Sequence, residues 1–335
     1  MPISPGGADT SAPPTRPCCV AVLGVGRSGT SAITRGLAAL GVELGDKLRK
    51  ATWLKNPTGF YEDTDLLRIN KRLKRLLGVR GDSVRLLEDD WWIAPEAQRL
   101  QAEAVETIRR RFGGQVLWGY KYARTLRFMP FWTAVFAAAD LDMRYLMPIR
   151  NPLSVARSRA RLDPWRGTQE QSDLEWLVNV VPYFRLVRGW PCVVVDFDLF
   201  MGDPGGQLAR IGHGLELPQT TEVQASIKSF ADGFLDPSLR HSRHGAGDLD
   251  RDPRVNEVTR RAYRLLYRVA AEEAPLNAIW EDWGQIEQQV AAMAPMLRHV
   301  DLLADRLHRA RWNPLGPLQS VPWLWYELKR QWPVR

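Results

Sequence analysis

Four short, mostly apolar runs punctuate the chain, at residues 18–23, 116–121, 144–150 and 192–196, each of strand length. Continuous apolar runs of this kind belong to strands buried on both faces. Between them the apolar positions recur at helical spacing, over 30–40, 95–112, 130–139 and 173–187. Strand alternating with helix predicts an α/β fold, a parallel sheet flanked by helices, in which ligands gather at the carboxyl ends of the strands. Beyond Pro253 only helical patterns remain, 254–274 and 283–309, with a break or kink predicted at Pro295.

The ends of the chain have a different texture. Residues 1–17 are rich in Pro, Gly, Ser and Thr and lack the basic and apolar regions of a signal peptide, which predicts a disordered tail. A single domain is expected over 18–311, helical from about 253, followed by a tail over 312–335. That tail sets Trp312, Trp323, Trp325 and Trp332 among Lys329, Arg330 and Arg335. Trp beside basic residues is the composition of a peripheral membrane anchor. It is more often a tail packed on its own domain.

No apolar run approaches the roughly 20 residues a membrane-crossing helix needs. Cys18, Cys19 and Cys192 sit in strand-like runs rather than at metal or disulfide spacings. A reducing, cytoplasmic setting is expected. The composition, 45% hydrophobic and 25% charged, is that of a globular protein. A formal charge of +8 favours anionic partners, although no nucleic-acid motif accompanies it.

The first strand run ends in Gly24-Val25-Gly26-Arg27-Ser28-Gly29-Thr30-Ser31, immediately before a helix. A Gly-rich turn between strand and helix presents backbone N–H groups and the positive end of the helix dipole to an anion. The position at which a nucleotide-hydrolysing loop carries lysine holds Thr30, and the positive charge sits instead at Arg27. The loop therefore predicts an anionic nucleotide end without predicting Mg-dependent chemistry.

A second anion element follows the third strand run. Arg150 ends the strand, Asn151 is a good N-cap and Pro152 suits the first helical position. Ser158 then lies two turns along, about 9 Å from Pro152 at about 1.5 Å per residue. A guanidinium at a strand end and a hydroxyl on the next helix can together hold a phosphate.

The two elements together resemble the sulfotransferase family that uses 3′-phosphoadenosine 5′-phosphosulfate (PAPS). Gly24 to Ser31 looks like the family's 5′-phosphosulfate loop, and Arg150 with Ser158 looks like its 3′-phosphate site, at the same interval of eight residues. The likeness extends to Trp118-Gly119-Tyr120-Lys121, to Asn56-Pro57-Thr58-Gly59-Phe60-Tyr61-Glu62-Asp63, and to Val195-Asp196-Phe197-Asp198-Leu199 with Asp203-Pro204. It covers most of 18–244 and is closest to the bacterial and carbohydrate-type branch.

The resemblance implies a P-loop-containing sulfotransferase-like fold and transfer of a sulfonyl group from PAPS to an acceptor hydroxyl, on a carbohydrate or glycoconjugate, without a metal. It implies that Gly26, Arg27, Ser28, Gly29, Thr30 and Ser31 hold the 5′ end and that Arg150, Ser158 and Arg240 hold the 3′-phosphate. Catalytic roles fall to Arg27 and Lys121, as positive charge at the leaving oxygen and the sulfonate. Glu62 resembles the carboxylate base of the carbohydrate and tyrosyl-protein branches and is the candidate base, while the position of the cytosolic branch's histidine holds Ala123.

Other readings stay open at this point. A P-loop kinase or NTPase would need Mg and a nucleoside triphosphate, and a scaffold of the same fold would bind nucleotide without turnover. Glu62 could serve only to cap the helix expected from 63–65, and Lys121 could be an edge salt bridge. That helix carries Arg68, Lys71, Arg72, Lys74 and Arg75 among Leu66, Ile69, Leu73 and Leu76. Its basic face is more often solvated than a site for an acidic acceptor. Acceptor identity and oligomeric state are not encoded in any motif.

Overall fold

The computed structural model describes residues 16–52, 59–163, 166–234 and 244–312. Its centre is a parallel sheet of β1 (Cys18–Val22), β2 (Leu117–Lys121), β3 (Asp142–Ile149) and β4 (Cys192–Asp196), in the order β2-β1-β3-β4. Register is tight at the carboxyl edge, where Val22 faces Lys121 on one side and Leu146 on the other, and Ile149 faces Asp196.

The apolar runs are unbroken because both faces are covered. Cys19 and Ala21 of β1, with Tyr145 and Met147 of β3, point into one core. Val20 and Val22, with Leu146, Val193 and Val195, point into the other. This two-residue alternation is what a pleated strand imposes. The first core is filled from α2 (Thr64–Leu76), α3 (Pro95–Phe112), α4 (Met129–Ala138), α6 (Gln169–Phe184), α10 (Ala246–Arg251), α11 (Glu257–Ala270) and α12 (Trp280–Ala292). The second is filled from α1 (Thr30–Leu37), α7 (Phe197–Gly202), α8 (Pro204–Gly214) and α9 (Thr221–Phe234).

Several expected boundaries move for local reasons. The helix expected over 30–40 tightens into a 3-10 turn at Ala38–Leu40 and ends on Gly41 in the left-handed region. The helix expected from 173 starts at Gln169, because the Thr168 hydroxyl accepts from Gln171 N and caps it there. The helix expected from 254 starts at Glu257, capped by Asn256, while Arg254 folds back on Asp252. The helix expected over 283–309 is two helices, α12 and α13 (Ala294–Trp312). The interruption expected at Pro295 is a break: the proline sits in the first turn of α13, where its missing N–H has no intrahelical partner to lose.

Leu76, expected on the buried stripe of α2, is exposed, whereas Leu66, Ile69 and Leu73 are buried. Of the basic residues on that helix, Arg68 pairs with Asp65 and Arg72 with Glu103. Among the described residues no helix is long and apolar enough to cross a membrane.

Candidate active site

The chain runs from β1 to β2 on one side and, after crossing back, from β3 to β4 on the other. The loops after β1 and β3 therefore meet at the point where the sheet's direction of winding changes, the usual ligand crevice of an open α/β sheet. Leu23 N bonds to Leu146 O at 2.8 Å and fixes the start of the first loop against β3.

Glycine is required in that loop by space as well as conformation. A Cβ on Gly29 would lie 1.9 Å from the Phe197 ring, and its φ is +74°. Arg27 also has a positive φ, 76°. Left-handed residues on either side of Ser28 curl the backbone into a concavity of the kind that binds anions. Gly29 caps α1 without a side-chain hydrogen bond, and no acidic residue stands in the helix's first turn. The buried Ser28 Oγ has no hydrogen-bond partner among the described residues.

The loop after β3 closes on the first. Asn151 caps α5 (Pro152–Ala160) by accepting from Leu153 N at 3.0 Å. Its amide nitrogen donates to the carbonyls of His244 and Gly245, at 3.0 and 3.2 Å. Arg150 stacks its guanidinium 4.7 Å over the Phe197 ring and reaches Arg27 O at 3.5 Å. The Arg27 Nε donates to Ser158 Oγ at 3.0 Å. Burial lowers the basicity of Arg27, and the neighbouring Arg150 and Arg161 lower it further. Burial likewise lowers Arg150, against the pull of Asp198 and Asp196. Arg27 and Arg150 thus bring two buried guanidinium groups to one loop edge, where an anion would be favoured.

At the other end of the loop, Lys121 and Glu62 form an ion pair. Lys121 Nζ donates to Glu62 Oε1 at 3.1 Å, to Phe60 O at 2.8 Å and to Ser31 Oγ at 3.3 Å. The two residues are 6% and 3% exposed. Burial pushes the Lys121 ammonium below its ordinary range, and Glu62 is the chief opposing influence. Glu62 Oε2 accepts from Arg49 at 3.0 Å, and the Arg49 guanidinium lies 3.8 Å over the Phe60 ring. Gly59 and Tyr61, both with positive φ, bracket Phe60, the residue whose carbonyl Lys121 binds. The cap of α2 is Asp63, which accepts from Asp65 N and Leu66 N, so Glu62 is not the capping residue.

Gly26, Arg27, Ser28, Gly29, Thr30, Ser31, Lys121, Glu62, Arg150 and Ser158 thus lie along one strand edge, with Arg27 on the Ser158 side and Lys121 on the Ser31 side. Arg240, Asn56, Pro57 and Thr58 lie outside the described residues.

Three participants carry no sequence signal of their own. Phe197 backs both Gly29 and Arg150. Arg49 holds the second oxygen of Glu62. Asp196, at the end of β4, caps α7 and accepts from Tyr263 Oη at 3.0 Å, and burial carries its carboxyl up to about 6. Phe197 and Asp196 stand within a motif already noted; Arg49 had only its proximity in sequence to Glu62.

No protein-family model and no curated protein matches the chain. Among solved structures, it is similar to the crystal structure of sulfotransferase STF9 from Mycobacterium avium, at 16% identity over 78% of this chain and 76% of that one, with a TM-score of 0.34.

Proposed function

We propose that the protein is a sulfotransferase that moves a sulfonyl group from PAPS to an acceptor hydroxyl, with a carbohydrate or glycoconjugate acceptor preferred. The observation that carries this reading is the closure of the β3 loop on the β1 loop: Arg150 bonds to Arg27, and Arg27 bonds to Ser158. Two anion-attracting elements that are separate in sequence become a single elongated site.

The residues fit a nucleotide with a phosphate at each end. Among the described residues Ser28 Oγ lacks a partner, the first turn of α1 has no side-chain cap, and a Cβ on Gly26 would meet nothing nearer than Ala123 at 3.9 Å. Ser28 to Ser31 would hold the 5′ end, and Arg150 with Ser158 the 3′-phosphate. When bound, PAPS supplies an activated sulfonyl group on a good leaving group.

Arg27 and Lys121 would offset charge developing at the leaving oxygen and the sulfonate, where fixed cations in a dry site act most strongly. Lys121 has its donors engaged by Ser31, Phe60 and Glu62. Any turn of Lys121 toward an anion on Ser31 would release Glu62 Oε1, and the freed carboxylate could take the proton of an acceptor hydroxyl. Arg49 keeps the other oxygen oriented.

The test is incubation with PAPS and a panel of sugars and phenols, in the presence of EDTA, with mass spectrometry for the gain of one sulfonate. A sulfonated product that disappears in Arg27→Ala and Glu62→Gln supports the assignment. Absence of any product, together with consumption of Mg-ATP by the same preparation, would replace it with a kinase or NTPase.

A further inference from the structure

Beside the loop lies a cavity of about 180 Å³, lined from the segment after β2 and from α5, the turn after it and α6. Its wall includes Arg27, Arg124, Arg159 and Arg166, with Glu175 and Asn179 from α6. Asp163 is the second carboxylate on that wall, so four guanidinium groups face two acids. Glu175 is already shared: Arg166 binds both its oxygens, at 3.1 and 2.7 Å, and Arg159 approaches to 2.9 Å. Arg124 and Arg166 also donate to the main-chain oxygen of Gly81 rather than to a further acid.

Buried positive charge in excess of its acids is unfavourable until an anion arrives; at Arg166 burial is outweighed by the bonds to Glu175, which raise that guanidinium. Arg159 registers the excess. Burial is the main cause of its fall to about 10, and Arg166, Arg124 and Arg27 add to it against the pull of Glu175. The wall also offers a vacant acceptor. Asn179 is 5% exposed, its amide nitrogen donates to Glu175 O at 2.5 Å, and its Oδ1 has no partner among the described residues. A ligand hydroxyl would supply the missing donor. Cavities that take whole small molecules run to about 300–1,000 Å³, so this one suits a single ring.

We propose that this cavity binds a hydroxylated ring bearing a carboxylate, such as a uronic acid residue, with the carboxylate toward Arg124 and Arg159 and a hydroxyl toward Asn179. Under the sulfotransferase reading, on which this last step rests, that ring is the end of the acceptor: the cavity adjoins Gly26 and Arg27, and Ala123 forms part of the same wall. The acceptor would then be acidic before it is sulfonated. Its small side chain at position 123 leaves room for the ring.

Calorimetric titration with two matched probe pairs tests this. One pair is 4-nitrophenyl β-D-glucuronide and 4-nitrophenyl β-D-glucoside; the other is 4-hydroxybenzoate and 4-hydroxybenzamide. A separate titration with 3′,5′-adenosine bisphosphate reports on the nucleotide site. One charge-assisted contact corresponds to a preference of about tenfold or more. The acidic member of at least one pair should bind that much more tightly than its neutral partner. The preference should shrink in Arg124→Gln, survive in Arg124→Lys, and weaken with added salt. If no acidic probe binds more tightly than its neutral partner to the wild-type protein, the cavity is not an anion site, whatever the variants do. Nucleotide binding without acid preference overturns this inference and leaves the sulfotransferase reading standing. Acid preference without nucleotide binding does the reverse.

Discussion

Glu62→Gln removes one charge from a pair that has almost no access to water. Glu62 and Lys121 are 3% and 6% exposed, and their contact is 3.1 Å. Glutamine keeps the shape and one acceptor oxygen, but Lys121 is left buried without its carboxylate. Breaking a buried pair from one side costs about 3 to 5 kcal/mol. Lys121→Met should cost less, because Arg49 still binds Glu62 Oε2 at 3.0 Å. The double variant removes both charges, so its destabilisation should fall short of the sum of the singles by about 2 kcal/mol.

The same substitution makes stability depend on pH. Without Glu62, the influence that opposes burial at Lys121 is gone, and the ammonium falls further below its ordinary value of about 10.4. The unfolded chain then binds the proton more tightly than the folded one. The deficit of Glu62→Gln should therefore be largest at neutral pH and shrink as the pH rises toward 10. Urea unfolding followed by tryptophan fluorescence, on the two singles and the double at pH 7 and 9, measures both effects. Strict additivity of the singles would refute the pair as drawn.

Gly29→Ala should cost about 2 to 5 kcal/mol, the sum of a left-handed backbone penalty and overpacking against Phe197. Gly41→Ala, at φ +78° with nothing within 4 Å of its Cβ, should show only the backbone part, and equal losses at the two sites would contradict the close approach at Gly29. Asp196→Asn should remove a pH-dependent penalty. The unfolded chain releases that proton near pH 3.9 and the folded chain near 6. Between those values the folded state holds the extra proton, so stability falls as pH rises, and the loss of about 3 kcal/mol is complete above pH 6. Unfolding free energies at pH 4.5 and 7 should differ less in Asp196→Asn than in the wild type by about 2 kcal/mol, the part of that loss that falls inside this interval; an unchanged difference would show that Asp196 is not the group responsible.

The strands were legible because burial on both faces leaves no polar positions in 18–22 or 192–195. The Gly-rich loop was legible because its conformation restricts the residues it can use. The helices between Phe197 and Phe234 were not read. Gly205 and Gly206 follow Pro204 and look like a loop, yet Asp203 accepts from Gly206 N and caps α8 at that point. Pro295 was legible as an interruption: α12 ends at Ala292, and the proline takes the first turn of α13. Contacts that depend on the completed fold had no local signature. Glu62 and Lys121 are 59 residues apart, and the cavity arginines other than Arg27 come from the segment after β2, from α5 and from the turn after it. In sequence each is indistinguishable from a solvated surface arginine.

The most direct test of the site is a calorimetric titration of the wild-type protein and Arg150→Ala with 3′,5′-adenosine bisphosphate in EDTA. Saturable binding at micromolar concentration is expected for the wild type. Loss of a charged contact in Arg150→Ala should weaken it about tenfold to a hundredfold. No binding to the wild type at millimolar concentration, or an affinity indifferent to Arg150→Ala, would contradict a nucleotide held between the β1 and β3 loops.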